Sequence, residues 1–358
     1  VSSIPRVTTV IPTFCRLETL RIAIDSALRQ AGVDVRVAVF DNASDDGTRE
    51  FMEALVASDA RVRYHRHPTN IGAYANFESG IRSVETDFFS ILSDDDYLLP
   101  GFYARALSDM DAHDEVMFWA GSTLRVDEGG RIIDARMEAW QREGIYAGLP
   151  GVMAMMHGLA PTWTGILFRR AVVDSIGLPD ARALGPTDLD YVLRAAAHFA
   201  YIARKHPSAV FRLNMQSFSE TQPLSAFWPG WLRMFENFSR LSTLSEDART
   251  TGLAALRADG AKMLFRRGAN ALAKNNVAFA REASFHLLHE GGNKVKGCVL
   301  AFATLGVSAL PGGGRLYTWL YRTAEARIVR SRSELQQRFG HLIHGAGNAD
   351  GPTPSEAA

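Results

Sequence analysis

Residues 88–100 read FFSILSDDDYLLP. A short, nearly continuous apolar run ends at Ser93, three adjacent carboxylates follow at Asp94, Asp95 and Asp96, and Pro100 opens the next helical pattern. An apolar run of that length reads as a buried strand. Three neighbouring carboxylates repel one another unless a cation neutralises them, and hard oxygen ligands at a strand end suit Mg²⁺ or Mn²⁺ bridging to substrate phosphates. An acidic turn leading into a helix explains the same tripeptide. The surrounding sequence has to decide between the two.

Working back toward the N-terminus, the chain alternates. VTTVIP from Val7 reads as a strand, and Leu20, Ala23, Ile24, Ala27, Leu28 and Ala31 then recur at helical spacing. Strand and helix repeat as 35–40 with 48–56, 62–65 with 73–84, and 88–92 with 100–110. This order implies a parallel sheet covered by helices on both faces, an α/β fold whose ligands bind beyond the carboxyl ends of the strands. Polar clusters fall at that edge after each strand: Thr13 and Phe14, Asp41 and Asn42, Asn70 to Gly72, and Ser93 to Asp96. No GxGxxG follows the first strand and no GxxxxGK[ST] occurs, which argues against a nicotinamide enzyme and a P-loop ATPase.

Downstream, 116–126, a turn at 127–130 and Ile132–Ile133 read as an antiparallel hairpin added to the sheet. A helical stretch near 150–158 and an apolar segment at 163–169 follow. From Phe227 the pattern is almost wholly helical, with Leu232, Phe235, Phe238 and Leu241 on one stripe and further helices to about Phe339. Lys plus Arg and Asp plus Glu both number 39, so no overall charge draws the chain to nucleic acid. The two cysteines, Cys15 and Cys298, have no metal-type spacing and fit a reducing compartment. Without a visible leader or a 20-residue apolar span, a cytoplasmic protein is expected, with contact at the inner face of a membrane as an added option.

Asp41 ends the second strand, where a carboxylate can accept the N3 hydrogen of a uracil or thymine ring. The turn itself accounts for Ser44 to Gly47, with Asp45 or Asp46 capping the helix near Thr48. Taken together, VIPTFCR at 10–16, DNASDDGT at 41–48, NIGAYANFESGI at 70–81, LSDDDYLLP at 92–100 and GPTDLDYVLRAA at 185–196 resemble glycosyltransferase family 2, the inverting nucleotide-sugar transferases of GT-A fold.

The resemblance covers roughly the first 220 residues. It implies a GT-A catalytic domain at 1–222, divided into a nucleotide-sugar half at 1–115 and an acceptor half at 116–222. A helical C-terminal region at 223–344 and a disordered tail at 345–358 complete the expected organisation. It places Pro12, Thr13, Phe14, Asp41, Asn70, Gly72, Asn76 and Asp94 on the nucleotide sugar. Asp95 then becomes the metal ligand, with Asp94, Asp96 and His206 as further candidates for Mn²⁺ or Mg²⁺. Asp188 becomes the general base, with Asp190 on the same turn as its rival. The chain departs from the pattern at Ala75, where relatives often carry Arg, and at Ser93, where they begin the acidic motif with Asp. Arg82 is then a candidate for meeting diphosphate charge. A third departure is Arg212, Asn214 and Ser217, where relatives read Arg-x-His-x-x-Ser.

The implied reaction moves a sugar from a UDP- or dTDP-sugar to a carbohydrate, lipid-linked or small-molecule acceptor. Asp188 would take the acceptor proton, and the metal would neutralise the departing diphosphate. Trp163 can stack on a sugar and His157 can meet the acceptor, although both residue types also serve in cores and on surfaces. Arg315, Arg322, Arg327, Arg330, Arg332 and Arg338, interleaved with apolar residues, can dock on anionic lipid or pack as an ordinary amphipathic helix. A non-catalytic binding module of the same fold is the alternative from another class. A nucleotidyltransferase would need a Gly-rich basic loop after the first strand, which IPTFCRLETL does not supply.

Overall fold

A computed structural model describes residues 6–213, 223–309, 317 and 332–343. The expected alternation forms as β1 (Val7–Thr13), α1 (Leu17–Leu28), β2 (Val35–Asp41), α2 (Thr48–Ser58), β3 (Val62–Arg66), α3 (Ala73–Arg82) and β4 (Phe88–Ile91). After the two-residue β5 (Tyr97–Leu98) come α4 (Phe102–Asp111), the long β6 (Val116–Val126) and its antiparallel partner β7 (Ile132–Ala135). Next are β8 (Gly144–Tyr146), α5 (Gly148–Ala154), β9 (Ile166–Arg169), α6 (Ala171–Ile176), α7 (Thr187–His198) and β10 (Ala200–Arg212). Among the described residues the C-terminal region contains α8 (Leu224–Ser239), α9 (Glu246–Ala273), α10 (Val277–His289), α11 (Lys294–Ala309) and a helix over 332–343.

The ten strands of the described residues join one sheet, whose main path runs β3-β2-β1-β4-β9-β6-β10-β5. β1 is buried along its whole length because parallel strands lie on both sides of it and helices cover both faces. Its hydroxyls are satisfied inside: Thr8 pairs with Thr86 at 2.8 Å and Thr9 with the Tyr103 hydroxyl at 2.7 Å. The chain runs outward from β1 through β2 to β3 and then returns to place β4 on the other side of β1. This reversal is the switch point beyond which such sheets hold ligands. Pairing between β1 and β4 stops at Val10 with Ile91, so Pro12 faces a ladder that has already ended and removes no donor from it. The gap beyond is lined by Thr13 on one side and the acidic triplet on the other.

Two differences from the sequence reading concern packing. Of the expected stripe along α8, Phe235, Phe238 and Leu241 are buried and Leu232 is exposed, its place being taken by Trp228, Trp231 and Met234. The two tryptophans make that face the wider one. β10 was not foreseen, because its middle, Arg204 to Pro207, is polar and contains two register shifts against β6. The apolar cluster on one sheet face continues without a break into α8, α9, α10 and α11. Of the boundary read at 221–223 only Pro223, directly before α8, is among the described residues, and positions Asn214 and Ser217, most of the arginine-rich stretch and the tail at 345–358 lie outside them.

Candidate active site

The loop after β1 turns sharply, with Cys15 at φ 51° in the left-handed region and its N–H donating to Ser44 Oγ at 2.8 Å. Asp46 reaches back from the α2 loop to accept from the Leu17 N–H at 2.9 Å, while its other oxygen accepts from the Thr48 N–H and hydroxyl. One carboxylate therefore caps the starts of two helices and fixes the two loops to each other.

Against this frame stands the acidic triplet, and its three members differ. Asp94 is nearly buried and accepts from Thr13 Oγ1 at 2.8 Å and Arg16 Nη1 at 3.0 Å. Burial pushes it up to about 6, against the pull of the Arg16 charge. Asp95 accepts from the same Arg16 Nη1 at 2.8 Å. Asp96 is turned inward, where Thr164 Oγ1 donates to one oxygen at 2.8 Å and the Arg212 N–H to the other at 3.0 Å. Burial raises it well above the usual carboxyl range. Asp96 is thus an internal strut between the triplet and β10, and its candidacy as a metal ligand is corrected.

His206 does not line the cavity that holds Asp94 and Asp95; it stands at the irregular middle of β10 with Arg105 and Glu143 as its charged neighbours. Arg82 is paired with Glu78 at 2.6 Å and borders a different cleft. Arg16 is the cation that the structure brings to the acids, and nothing in the local sequence marks it. Among the described residues no three His, Cys, Asp or Glu side chains gather as a metal cage. Two converging carboxylates already sharing one cationic nitrogen do fit a Mg²⁺ or Mn²⁺ ion that keeps waters and takes its other oxygens from a diphosphate.

Three cavities meet here. The first, about 500 Å³, is lined by Pro12, Thr13, Phe14, Arg16, Asn42, Asn70, Asn76, Asp94, Asp95 and Arg212 among others. Phe14 is 46% exposed at its rim, free to present its ring. Asn42 and Asn70 lock each other, Nδ2 to Oδ1 at 2.8 Å, while Asn70 also accepts from the Gly72 N–H. Asn76 is clamped between the Phe40 carbonyl and His67, so it ties α3 to β2. Asp41 does not line this cavity. It is fully buried beneath it and accepts from Tyr64 at 2.6 Å and the Ser44 N–H at 2.8 Å, with Arg66 at 3.4 Å.

The second cavity, about 200 Å³, adjoins the first through Tyr74, Phe77, Ser93, Gly185 and Phe211. Trp163 forms part of its wall, with its ring centroid 5.3 Å from that of Phe77. The third, about 320 Å³, shares Thr162, Gly185 and Asp188 with the second and carries His157 on its far wall. Gly185 belongs to all three, and a Cβ there would overlap the Phe227 ring. Leu184 before it has φ 44°, so this loop is held tight from both sides.

Asp188 lies on the first turn of α7, between the second and third cavities. Its Oδ1 accepts from the Leu189 N–H at 2.8 Å, and burial pushes its carboxyl up, opposed by that N–H and by the Arg136 and Arg125 charges. Asp190, two residues on, points elsewhere. Arg194 holds one of its oxygens at 2.9 Å and Asn237 of α8 the other at 3.0 Å, and it lines none of the three cavities. The rival base is therefore a structural tie between α7 and α8.

Residues 8–177 match the family model described as Glycosyl transferase family 2. This segment belongs to that family. Over 127 residues the chain is 32% identical to the succinoglycan biosynthesis protein ExoO of Rhizobium meliloti, covering 36% of this chain and 34% of that protein. Over 98 residues it is 32% identical to the GalNAc(5)-diNAcBac-PP-undecaprenol beta-1,3-glucosyltransferase of Campylobacter jejuni, covering 27% of this chain and 32% of that enzyme. The chain thus spans about a third of the length of these curated relatives. The crystal structure of S. aureus TarS 1–349 in complex with UDP-GlcNAc superposes with a TM-score of 0.59 at 15% identity, over 84% of this chain and 90% of that one. The described residues have the mixed α/β, GT-A type of fold expected from the sequence, with a helical region after it.

Proposed function

We propose that this chain is a metal-dependent, inverting glycosyltransferase that moves a sugar from a UDP- or dTDP-sugar to an acceptor hydroxyl. The observation that carries the reading is the position of Asp188 between two cavities, with Asp94 and Asp95 at the far end of the same passage. The first cavity takes the nucleotide, with Phe14 against the base and Thr13, Asn42 and Asn70 around the nucleoside. Asp41 acts from below by fixing the loop that presents Asn42. The second cavity takes the sugar against Trp163 and Phe77. The third takes the acceptor, with His157 on its outer wall.

In the reaction Asp188 accepts the proton of the acceptor hydroxyl as the oxygen bonds to the anomeric carbon. The bond from that carbon to the diphosphate oxygen breaks, and its electron pair stays on the diphosphate. Attack from the face opposite the leaving group inverts the centre. Mg²⁺ or Mn²⁺ held by Asp95 and Asp94 would neutralise charge on the leaving diphosphate. Burial raises Asp188 above the usual carboxyl value, which is the direction that strengthens a carboxylate as a base. UDP-GlcNAc in the TarS complex supports a uracil donor, and the lipid-linked acceptor in the name of the Campylobacter relative supports an acceptor of that kind.

The test is calorimetric titration with UDP, dTDP, GDP and ADP, each with and without Mn²⁺, followed by a transfer assay with the matching nucleotide sugars. Metal-dependent binding of a uracil or thymine diphosphate and transfer to an acceptor support the assignment. Binding without transfer returns the chain to the non-catalytic reading, and binding of none of the four overturns the donor site.

A further inference from the structure

The polar groups of the second cavity can be followed to their partners one by one. Thr164 donates to Asp96 at 2.8 Å, and Thr187 Oγ1 donates to the Leu184 carbonyl at 2.5 Å. With that hydrogen spent, Thr187 Oγ1 accepts from the Tyr74 hydroxyl, to which it is bonded. Two carboxylates line the cavity, Asp188 and Glu78. Asp188 is the proposed base. Glu78 is held at one oxygen only: Nε and Nη2 of Arg82, one helical turn on, both donate to its Oε1, at 3.1 and 2.6 Å. Among the described residues no side chain or backbone N–H donates to Glu78 Oε2.

The helix that carries Glu78 sets its place. Tyr74, Phe77, Glu78 and Arg82 recur at spacings of three and four along α3, so they share one face. Tyr74 and Phe77 line both the first and the second cavity, while Glu78 lines the second and an outer cleft of about 700 Å³. Of these cavities Arg82 lines only the outer cleft. From Tyr74, at the seam between nucleotide and sugar, to Glu78 the helix advances about 6 Å, close to the breadth of one pyranose ring. Trp163 and Phe77 give that ring an apolar wall, which leaves its hydroxyls pointing outward at the edge.

We infer that Glu78 is a specificity-determining residue for the donor: its Oε2 accepts a hydrogen bond from the C4 hydroxyl of the transferred sugar, across the ring from the anomeric carbon, while Arg82 steadies the carboxylate from the cleft. This rests on the assignment of the second cavity to the sugar. A sugar that turns its C4 hydroxyl to the other face of the ring leaves the carboxylate oxygen without its donor, which disfavours binding. Because the cavity opens past Glu78 into the cleft, water meets part of that loss, and the preference between C4 epimers is about tenfold.

The experiment titrates the whole chain, in MgCl₂, with UDP and with two pairs of C4 epimers, UDP-glucose with UDP-galactose and UDP-GlcNAc with UDP-GalNAc. If dTDP is the diphosphate bound, dTDP-glucose and dTDP-galactose replace them. In the wild-type chain one epimer of a pair should bind about tenfold more tightly than the other. Glu78→Ala should bind the bare diphosphate as the wild type does and lose the preference, through weaker binding of the favoured epimer. Glu78→Gln keeps an acceptor oxygen without the charge and should retain part of it. An equal preference in the wild type and Glu78→Ala, no preference in either, or a parallel loss of affinity for the bare diphosphate would overturn the inference. Failure of the wild-type chain to bind either diphosphate overturns the donor reading itself.

Discussion

Arg16 donates to the Asp95 carboxylate at 2.8 Å across 79 residues of sequence, the same carboxylate that the proposed divalent cation would use. Arg16→Gln removes that internal cation. Because the side chain is about one-third exposed, the loss of stability should be small, about 1 kcal/mol or less. Affinity for Mn²⁺ should rise about tenfold, since the ion no longer competes with a guanidinium. Thermal melts with and without Mn²⁺ check both, and unchanged metal affinity would show that Arg16 does not occupy the ion's place.

Asp94 links the site to pH. Its folded value of about 6 lies above the ordinary 3.8, so the native state binds more protons between the two. Its contribution to stability is full below about pH 4 and is lost as pH rises through about 6. Metal binding has the opposite dependence, because the ion needs the ionised carboxylate. Calorimetry with UDP should show Mg²⁺ affinity rising by up to about tenfold per pH unit below pH 6 and levelling above it. Asp94→Asn should lose this dependence along with much of the affinity.

Asp188→Asn should leave UDP binding nearly intact and lower turnover about 10²- to 10⁴-fold. Asp190→Asn should act on stability instead, costing about 1–3 kcal/mol by breaking the contacts with Arg194 and Asn237. Steady-state kinetics beside thermal melts separate them. A large fall in turnover for Asp190→Asn, with an unchanged melt, would exchange the two roles.

Gly185→Ala places a methyl group into the Phe227 ring. Overpacking of this kind costs about 1–3 kcal/mol and displaces the loop common to the three cavities. Both the melting temperature and transfer should fall. Phe227→Leu in the same chain should restore part of the melt, and no restoration would place the strain elsewhere.

The sheet was legible from β1 to β4 because each strand is an apolar run and each helix repeats its apolar residues on one face. β10 was hidden by the polar Arg204 to Pro207, where bulges break the alternation that marks a strand. Four of the five site motifs were visible because they follow strand ends in order, and the fifth, at 185–196, opens α7. The roles of their members were not. Asp94, Asp95 and Asp96 are equivalent in sequence, and only Thr164 and the Arg212 N–H, 68 and 116 residues away, turn the third of them inward. Asp188 and Asp190 likewise differ through Asn237 on a helix from the C-terminal region. Long-range partners decide such choices, and periodicity carries no record of them.

The helix over 332–343 packs Phe339 against Tyr97, Leu124, Val126 and Ile132, while Gln336 Oε1 accepts from the Ile132 N–H at 2.8 Å. Tyr97 directly follows the acidic triplet. During synthesis residues 6–213 leave the ribosome with this small core uncovered, and it closes only once 332–343 have also emerged. The strand end that bears the acids is therefore among the last places to settle. A chain shortened to its family 2 segment would expose apolar side chains next to the carboxylates it needs, which makes the distant C-terminal helix part of the birth of the site.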